Sequence, residues 1–551
     1  MRSPSIALLW QIWRRNRQAA VALGAITLLG WLAHVAARDG DPAPRVGGPG
    51  PLNELVAMVS FLLLFGIFSY TEASGDKGIG RFPHRLFTLP VSTVRLVAVP
   101  MVSAIVAVTL LYLAWMERLT TAGSTSPLFV AVLLATFMVF YQTVLWTLAP
   151  LGALRLVVLG AIGVALFAIG IMPPPGGGES SLWRSEGLLG TAAVGAMILA
   201  FLFAWSHVAR LRSGGDRATS PLTPLLALLV DLLPSRRSAF ATPSSAHFWY
   251  EWRTAGVALP TLVGGVLVLI VAPGSVLLRG DGDNGMAFVL AVLMTPVVLA
   301  APVGMAFSRP VFWSEELSVP PFIAARPLSA ADLVGTKLKV AAAATLMSWI
   351  VALSFLVGSL LLWGNVEGLS QFAIQVWAFH DHSVLTVYAV AGLFAVTGMF
   401  LTWRLLIAGL WAGLSGNRRL YLGSVMAVVL FIIACMVFGA DRLPGWVLDE
   451  PARMAPFVWA AAIAVIAKYW LAARAWRGAQ PPFVRRYLIA WLVGTASFIA
   501  LGIALWRVVR IYVALDSFRC QSLMILLALL AVPLARVGLA PGLLERNRHR
   551  R

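Results

Sequence analysis

Apolar blocks long enough to cross a bilayer recur from one end of this chain to the other, and they limit the folds open to it. A hydrocarbon core is crossed by roughly 20 consecutive apolar residues in a helix. Fourteen blocks approach that length: 19–37, 54–71, 96–116, 128–150, 156–172, 188–209, 256–278, 286–307, 340–363, 384–403, 420–440, 454–473, 487–506 and 521–540. Of the 551 residues, 60% are hydrophobic and 12% charged, against roughly 45–50% and about 25% in a soluble domain. The block at 156–172 is short and ends at "MPPPGGGESS", so a half-span is an option there. The expected fold class is all-α, a polytopic membrane helical bundle of about 14 transmembrane helices.

The charges fall between these blocks. A net charge of +19 in a soluble protein would point to nucleic acid, but here the basic residues flank apolar segments, as the positive-inside rule requires. With the N-terminus inside, 32 Lys and Arg fall on the cytoplasmic side and 10 outside. Both termini are therefore expected in the cytoplasm, with Arg507, Arg510 and Arg519 as the exceptions to the pattern. The ratio of 38 arginines to 4 lysines fits a GC-rich bacterial genome and hence a bacterial cytoplasmic (inner) membrane. The N-terminal basic cluster Arg14, Arg15, Arg17 follows an apolar segment instead of opening the chain, which reads as an uncleaved first span and not a signal peptide. Two cysteines, Cys435 and Cys520, give no disulfide framework.

Three local patterns occur twice. "ALLWQIWR" (7–14) matches "AHFWYEWR" (246–253), "RDGD" (38–41) is echoed by "RGDGD" (279–283), and "LPVSTVRLV" (89–97) lies over "RPLSAADLV" (326–334). The offsets are 239, 242 and 237 positions, too consistent for chance. Trp205 with Arg212 and Trp470 with Arg477 suggest a fourth pair. The chain is thus expected to hold two parallel six-span units, 1–210 with an N-terminal interfacial helix and 246–480, joined by a cytoplasmic connector 211–245. Two additional spans and a basic cytoplasmic tail, 481–551, follow and have no derivable role.

Each recurring element has a physical character. Ser3-Pro4 suits a helix start, and Ile6, Leu9, Trp10 and Trp13 share a face, so a helix lying in the headgroup layer is expected there, with Trp249 and Trp252 as its second copy. In the cytoplasmic loops after the second and eighth spans, Pro83, Pro90, Pro321 and Pro327 break helices, while Ser92 and Ser329 can cap the next one. Phe82, Phe87, Arg85, Phe322 and Arg326 read as exposed apolar knobs beside charge, a mixture that suits docking of another protein. A basic loop that only obeys the positive-inside rule is the plainer alternative.

Absences narrow the function. No GxxxxGK[ST] loop occurs, so no ATP site of that kind is expected and the chain is not read as an enzyme. No ionisable residue sits at the centre of an expected span, which disfavours an ion-coupled carrier. "HDH" at 380–382 lacks further ligands for zinc, no metal site is expected, and the outer "DGD" pairs read as solvated turns. Three rivals stay open: an ion-coupled secondary transporter with 14 spans, a membrane glycosyltransferase using Asp39 and Asp41, and a non-transporting scaffold.

An interfacial helix, six spans and a second cytoplasmic loop of aromatic, basic and Pro-x-Ser character, twice over, resemble the ABC-2 type permease subunits of ABC transporters. Trp10, Trp13 and "RLFTLPVSTVRLV", then Trp249, Trp252 and "FIAARPLSAADLVGTKL", carry the likeness over roughly 1–210 and 246–480. The resemblance implies an ATP-driven exporter whose loops rest on a separate cytoplasmic ATPase subunit. It assigns Phe82, Arg85, Pro90, Ser92, Phe322, Arg326, Pro327 and Ser329 to that contact, with ATP and magnesium on the partner and no cofactor on this chain. The family usually has one unit per chain, so the fusion implies that no second permease chain is needed. Leu89 stands where the second copy has Arg326, so the two contacts need not be equivalent.

Overall fold

The computed structural model describes residues 3–38, 51–73, 80–119, 126–149, 154–171, 186–214, 240–277, 284–311, 316–363, 384–426, 451–476 and 534–549, with parts of 489–530. The connector from 215 to 239, Asp39, Asp41, the "DGD" of 281–283, the "HDH" of 380–382, Arg477 and both cysteines lie outside them. The chain divides into two compact units, the first built from residues 1–237 and the second from nearly all of the rest.

In the first unit the helices are α1 (Pro4–Arg38), α2 (Pro51–Phe68), α3 (Thr93–Leu119), α4 (Pro127–Thr147), α5 (Leu154–Ile171) and α6 (Glu186–Arg212). A two-residue antiparallel ribbon, β1 (Glu72–Ala73) and β2 (Gly80–Arg81), and a 3-10 turn, His84–Thr88, connect α2 to α3. The core gathers Leu64, Leu96, Met101, Trp115, Met138 and Trp146, all below 2% exposure or close to it. Gln142 is fully buried inside it and donates from Nε2 to the Phe68 carbonyl (2.9 Å) and to that of Pro100 (3.4 Å). It thereby satisfies a carbonyl at the end of α2 that the helix itself leaves open.

The second unit opens with α7 (Pro243–Glu251), capped by a reciprocal Thr242–Ser245 box. The helical path continues through a π turn (Trp252–Gly256), α8 (Ala258–Val266), a second π turn (Leu267–Val271) and α9 (Ala272–Leu277). Each widened turn lies just before a proline, Pro260 or Pro273, whose missing N–H disturbs the carbonyl four residues earlier. Then come α10 (Asn284–Phe307), α11 (Pro321–Ala324), α12 (Ala330–Trp363), α13 (Val384–Leu406), α14 (Leu410–Leu414), α15 (Pro451–Trp476) and α16 (Leu534–Arg548).

Among the described residues seven helices are long and apolar enough to cross a membrane: Thr93–Trp115, Pro127–Thr147, Glu186–Arg212, Pro243–Gly274, Phe288–Phe307, Ala330–Ser359 and Gly392–Leu414. Two shorter apolar helices are Val59–Phe68 and Leu154–Leu166. The chain is a helical membrane protein. The expected span at 420–440 falls largely outside the described residues, and those at 487–506 and 521–540 fall partly outside them.

Two expectations need correcting. The first is that a separate interfacial helix precedes the span at 19–37. Instead α1 is continuous from Pro4 to Arg38, because no proline follows Pro4 until Pro42 and Gly24 and Gly30 are tolerated inside the helix. Similarly, the span expected at 340–363 begins ten residues earlier, at Ala330. Ser329 and Asp332 cap the helix there, and nothing downstream breaks it.

Candidate functional site

The two Pro-Ser loops are built by one hydrogen-bond ladder. In the first, the N–H groups of Leu86, Leu89, Val91 and Leu96 donate to the carbonyls of Pro83, Leu86, Leu89 and Ser92 at 3.1, 3.2, 2.8 and 3.1 Å. In the second, Ile323, Arg326, Leu328 and Leu333 donate to Pro320, Ile323, Arg326 and Ser329 at 3.0, 3.2, 2.8 and 3.1 Å. Every donor and acceptor is displaced by 237 positions, the sequence offset of Leu89 and Arg326. The second loop adds α-type bonds from Ala324 and Ala325, so its short helix is α11 and not a 3-10 turn.

A guanidinium holds each loop through its carbonyls. Arg212, the last residue of α6, donates to Leu89 O (2.9 Å), Val91 O (2.5 Å) and Thr93 Oγ1 (3.3 Å). Arg548, the last residue of α16, donates to Ala324 O (Nε, 2.8 Å; Nη2, 2.5 Å), Arg326 O (2.6 Å) and Leu328 O (2.8 Å). Leu89 and Val91 are the positions equivalent to Arg326 and Leu328. The planar fork of arginine, with five fixed donors, is suited to bridging adjacent carbonyls in this way.

With the backbone held from one side, several predicted contact residues stay on the surface. Arg85, Pro90, Ser92, Phe322 and Pro327 are exposed, and Arg326 and Ser329 are half-buried. Arg326 lies over the rings of Phe322 (5.5 Å) and Tyr250 (5.9 Å), so the loop is propped against α7. Ser329 donates to Asp332 Oδ2 (2.7 Å) and accepts from the Asp332 N–H (3.1 Å). Ser92 makes no such bond among the described residues, and Arg95 occupies the position that Asp332 has in the second loop.

Phe82 is the exception. It was expected as a surface knob but is fully buried, packed on Tyr70 (6.2 Å), Phe87 (5.7 Å) and Trp146 (5.1 Å). Its removal from water is worth about 1.5–3 kcal/mol, which outweighs any gain from presenting it. Phe82 therefore anchors the loop from beneath.

The helices flanking the loops differ in charge. On α1, Leu8 and Ile12 are buried, while Ile6, Leu9, Trp10 and Trp13 face outward at 44–63% exposure. Arg15 donates to Thr71 O (2.8 Å), and Arg85 lies 3.6 Å from Glu72. Gln11, Arg14, Arg15, Glu72 and Arg85 line an open cleft of about 520 Å³. On the second copy Trp249 and Trp252 are half-buried, and the positions of Leu8 and Ile12 are taken by His247 and Glu251.

Those two residues form a buried cluster missed by the reading of isolated motifs. Glu251 Oε2 pairs with Lys337 Nζ at 2.9 Å, and His247 Nε2 lies 3.8 Å from Glu251 Oε1. All three are at most 5% exposed. Lys337 also reaches the Phe307 carbonyl (3.5 Å) at the end of α10. Phe307 stands 239 positions after Phe68, so the lysine serves the carbonyl position that Gln142 serves in the first unit. A cavity of about 20 Å³, lined among others by His247, Glu251, Ile323, Lys337 and Leu544, separates the cluster from the second loop. The signal was present in the sequence: aligning "ALLWQIWR" with "AHFWYEWR" sets His and Glu against Leu and Ile.

No family model, curated protein or solved structure matches this chain.

Proposed function

We propose that the chain is the membrane-spanning permease of an ATP-driven exporter, in which two fused six-span units each offer one cytoplasmic loop to a separate ATPase subunit. One observation carries this reading. The same loop is built twice in the same hydrogen-bond register, its carbonyls tied down by an arginine and its side chains Arg85, Pro90, Phe322 and Pro327 turned outward. A loop that only satisfied charge asymmetry would need neither the repeated ladder nor the clamp. Rigid presentation lowers the ordering cost of binding, which suits a surface that must transmit force. ATP and magnesium belong to the partner, the location is the bacterial inner membrane, and both termini are cytoplasmic. Lipids, lipid-linked molecules, glycans and small amphiphiles are the substrate classes.

Purification in gentle detergent from native membranes tests the partner. An ATPase is expected to accompany the chain and to be lost from Arg85→Glu and Arg326→Glu variants that still fold. A wild-type preparation without ATPase, even after cross-linking, removes the reading. A second reading, the ion-coupled secondary transporter, is favoured by one observation, the buried His247–Glu251–Lys337 cluster. Buried ionisable groups are the usual means of ion coupling, although this cluster lies toward the ends of its helices.

A further inference from the structure

The C-terminal region had no role in the sequence reading, yet its helix ends on the second loop. In α16, Val537, Ala540, Leu544 and Asn547 are buried on one face, and the helix packs on α12, α14 and α15. Asn547 Nδ2 donates to Leu317 O (2.8 Å) and Leu414 O (3.1 Å), which fixes the last turn of the helix. The next residue, Arg548, then reaches the carbonyls of Ala324, Arg326 and Leu328. Three of its nitrogens are used, and Leu544 lines the cavity beneath Ile323.

The first loop receives the same service from Arg212, at the end of α6. The two arginines end helices that share only a terminal Arg-x-Arg, Arg210–Arg212 in α6 and Arg546–Arg548 in α16. They nevertheless converge on carbonyls related by the 237-position offset. We propose that α16 is the brace of the second loop, with Arg548 as its positioning residue, and that the appended C-terminal region serves the second unit in the role that the end of α6 serves in the first. The brace sets the backbone shape of residues 324–328 and thereby the surface formed by Phe322, Arg326 and Pro327. Its relevance to ATPase docking rests on the function proposed above; the brace itself does not.

Hydrogen exchange on the full-length purified protein tests it, with peptides covering 83–93 and 320–330 followed together. Arg548→Gln is expected to speed exchange in 320–330 by tenfold or more and leave 83–93 unchanged. Arg212→Gln is expected to do the reverse. Arg546→Gln removes the same charge from an exposed site two residues away and is expected to change neither. Arg548→Lys keeps the charge but not the fork, and is expected to restore only a small part of the protection. Unchanged exchange in Arg548→Gln, equal acceleration of both loops, or complete rescue by lysine each overturns the proposal.

A second arm separates the brace from the proposed partner. A photo-reactive phenylalanine analogue at position 322 is expected to cross-link the ATPase in the parent chain and to fail in Arg548→Gln, while the same analogue at position 87 cross-links in both. Absence of any cross-link in the parent chain removes the ATPase reading and leaves the exchange result to decide the brace. An unchanged cross-link from position 322 in Arg548→Gln overturns the link between brace and docking.

Discussion

At the scale of single residues, the second unit departs from the first where Leu8 and Ile12 are replaced by His247 and Glu251. The Glu251–Lys337 pair is buried at 2.9 Å. Desolvating two such charges costs about as much as their attraction returns, but losing one partner strands the other, at about 3–5 kcal/mol. Glu251→Gln and Lys337→Met are therefore each expected to lower stability by that order, while the combined Glu251→Ile, Lys337→Met variant recovers most of the loss. Thermal melts followed by tryptophan fluorescence in detergent check this, and a double variant as unstable as the two single changes added together would contradict it. His247 Nδ1 is buried without a hydrogen-bond partner, a cost the first unit avoids with Leu8. Both substitutions could be read from the repeat alignment. Their contact with Lys337, 86 positions after Glu251, could not, because no local pattern encodes which helices meet.

At the scale of elements, the helix crossings are set by glycine. A Cβ on Gly304 of α10 would meet the Leu405 carbonyl and, at 2.8 Å, the Leu406 Cα, both backbone atoms of α13 that cannot rotate away. Gly304→Ala is expected to push the two helices apart and cost about 1–3 kcal/mol, with an earlier loss of helical signal on heating. By the same measurement, Gly24→Ala in α1, where nothing lies within 4 Å, is expected to cost nothing and to raise stability by up to about 1 kcal/mol, since alanine is the better helix former. Hydropathy located the helices well: expected blocks 96–116, 128–150, 188–209 and 286–307 lie close to Thr93–Trp115, Pro127–Thr147, Glu186–Arg212 and Phe288–Phe307. It failed where a polar stretch continues a helix, as before 19 and before 340. Apolar content marks what a bilayer would hold, whereas helix ends are set by caps and breakers such as Ser329 and Pro4.

At the scale of the whole molecule, the reading as an exporter makes a statement about energy. Movement of a fluorescent amphiphile across sealed vesicles containing the chain and its ATPase is expected to stop on ATP depletion and to persist when ionophores collapse the ion gradients. The opposite pattern, with loss of movement in Glu251→Gln, would transfer the function to the ion-coupled reading. By itself the sequence determined that the chain is a helical membrane protein, because apolar blocks of span length have one favourable solvent and each helix satisfies its own backbone within it. It also revealed the doubled loops, since breakers, caps and their spacing are local. The tertiary structure alone decided that Phe82 faces inward, that Glu251 meets Lys337, and that Arg212 and Arg548 end on equivalent carbonyls. Those outcomes depend on contacts between residues up to 224 positions apart, and such contacts follow from how helices pack and not from any periodicity along the chain.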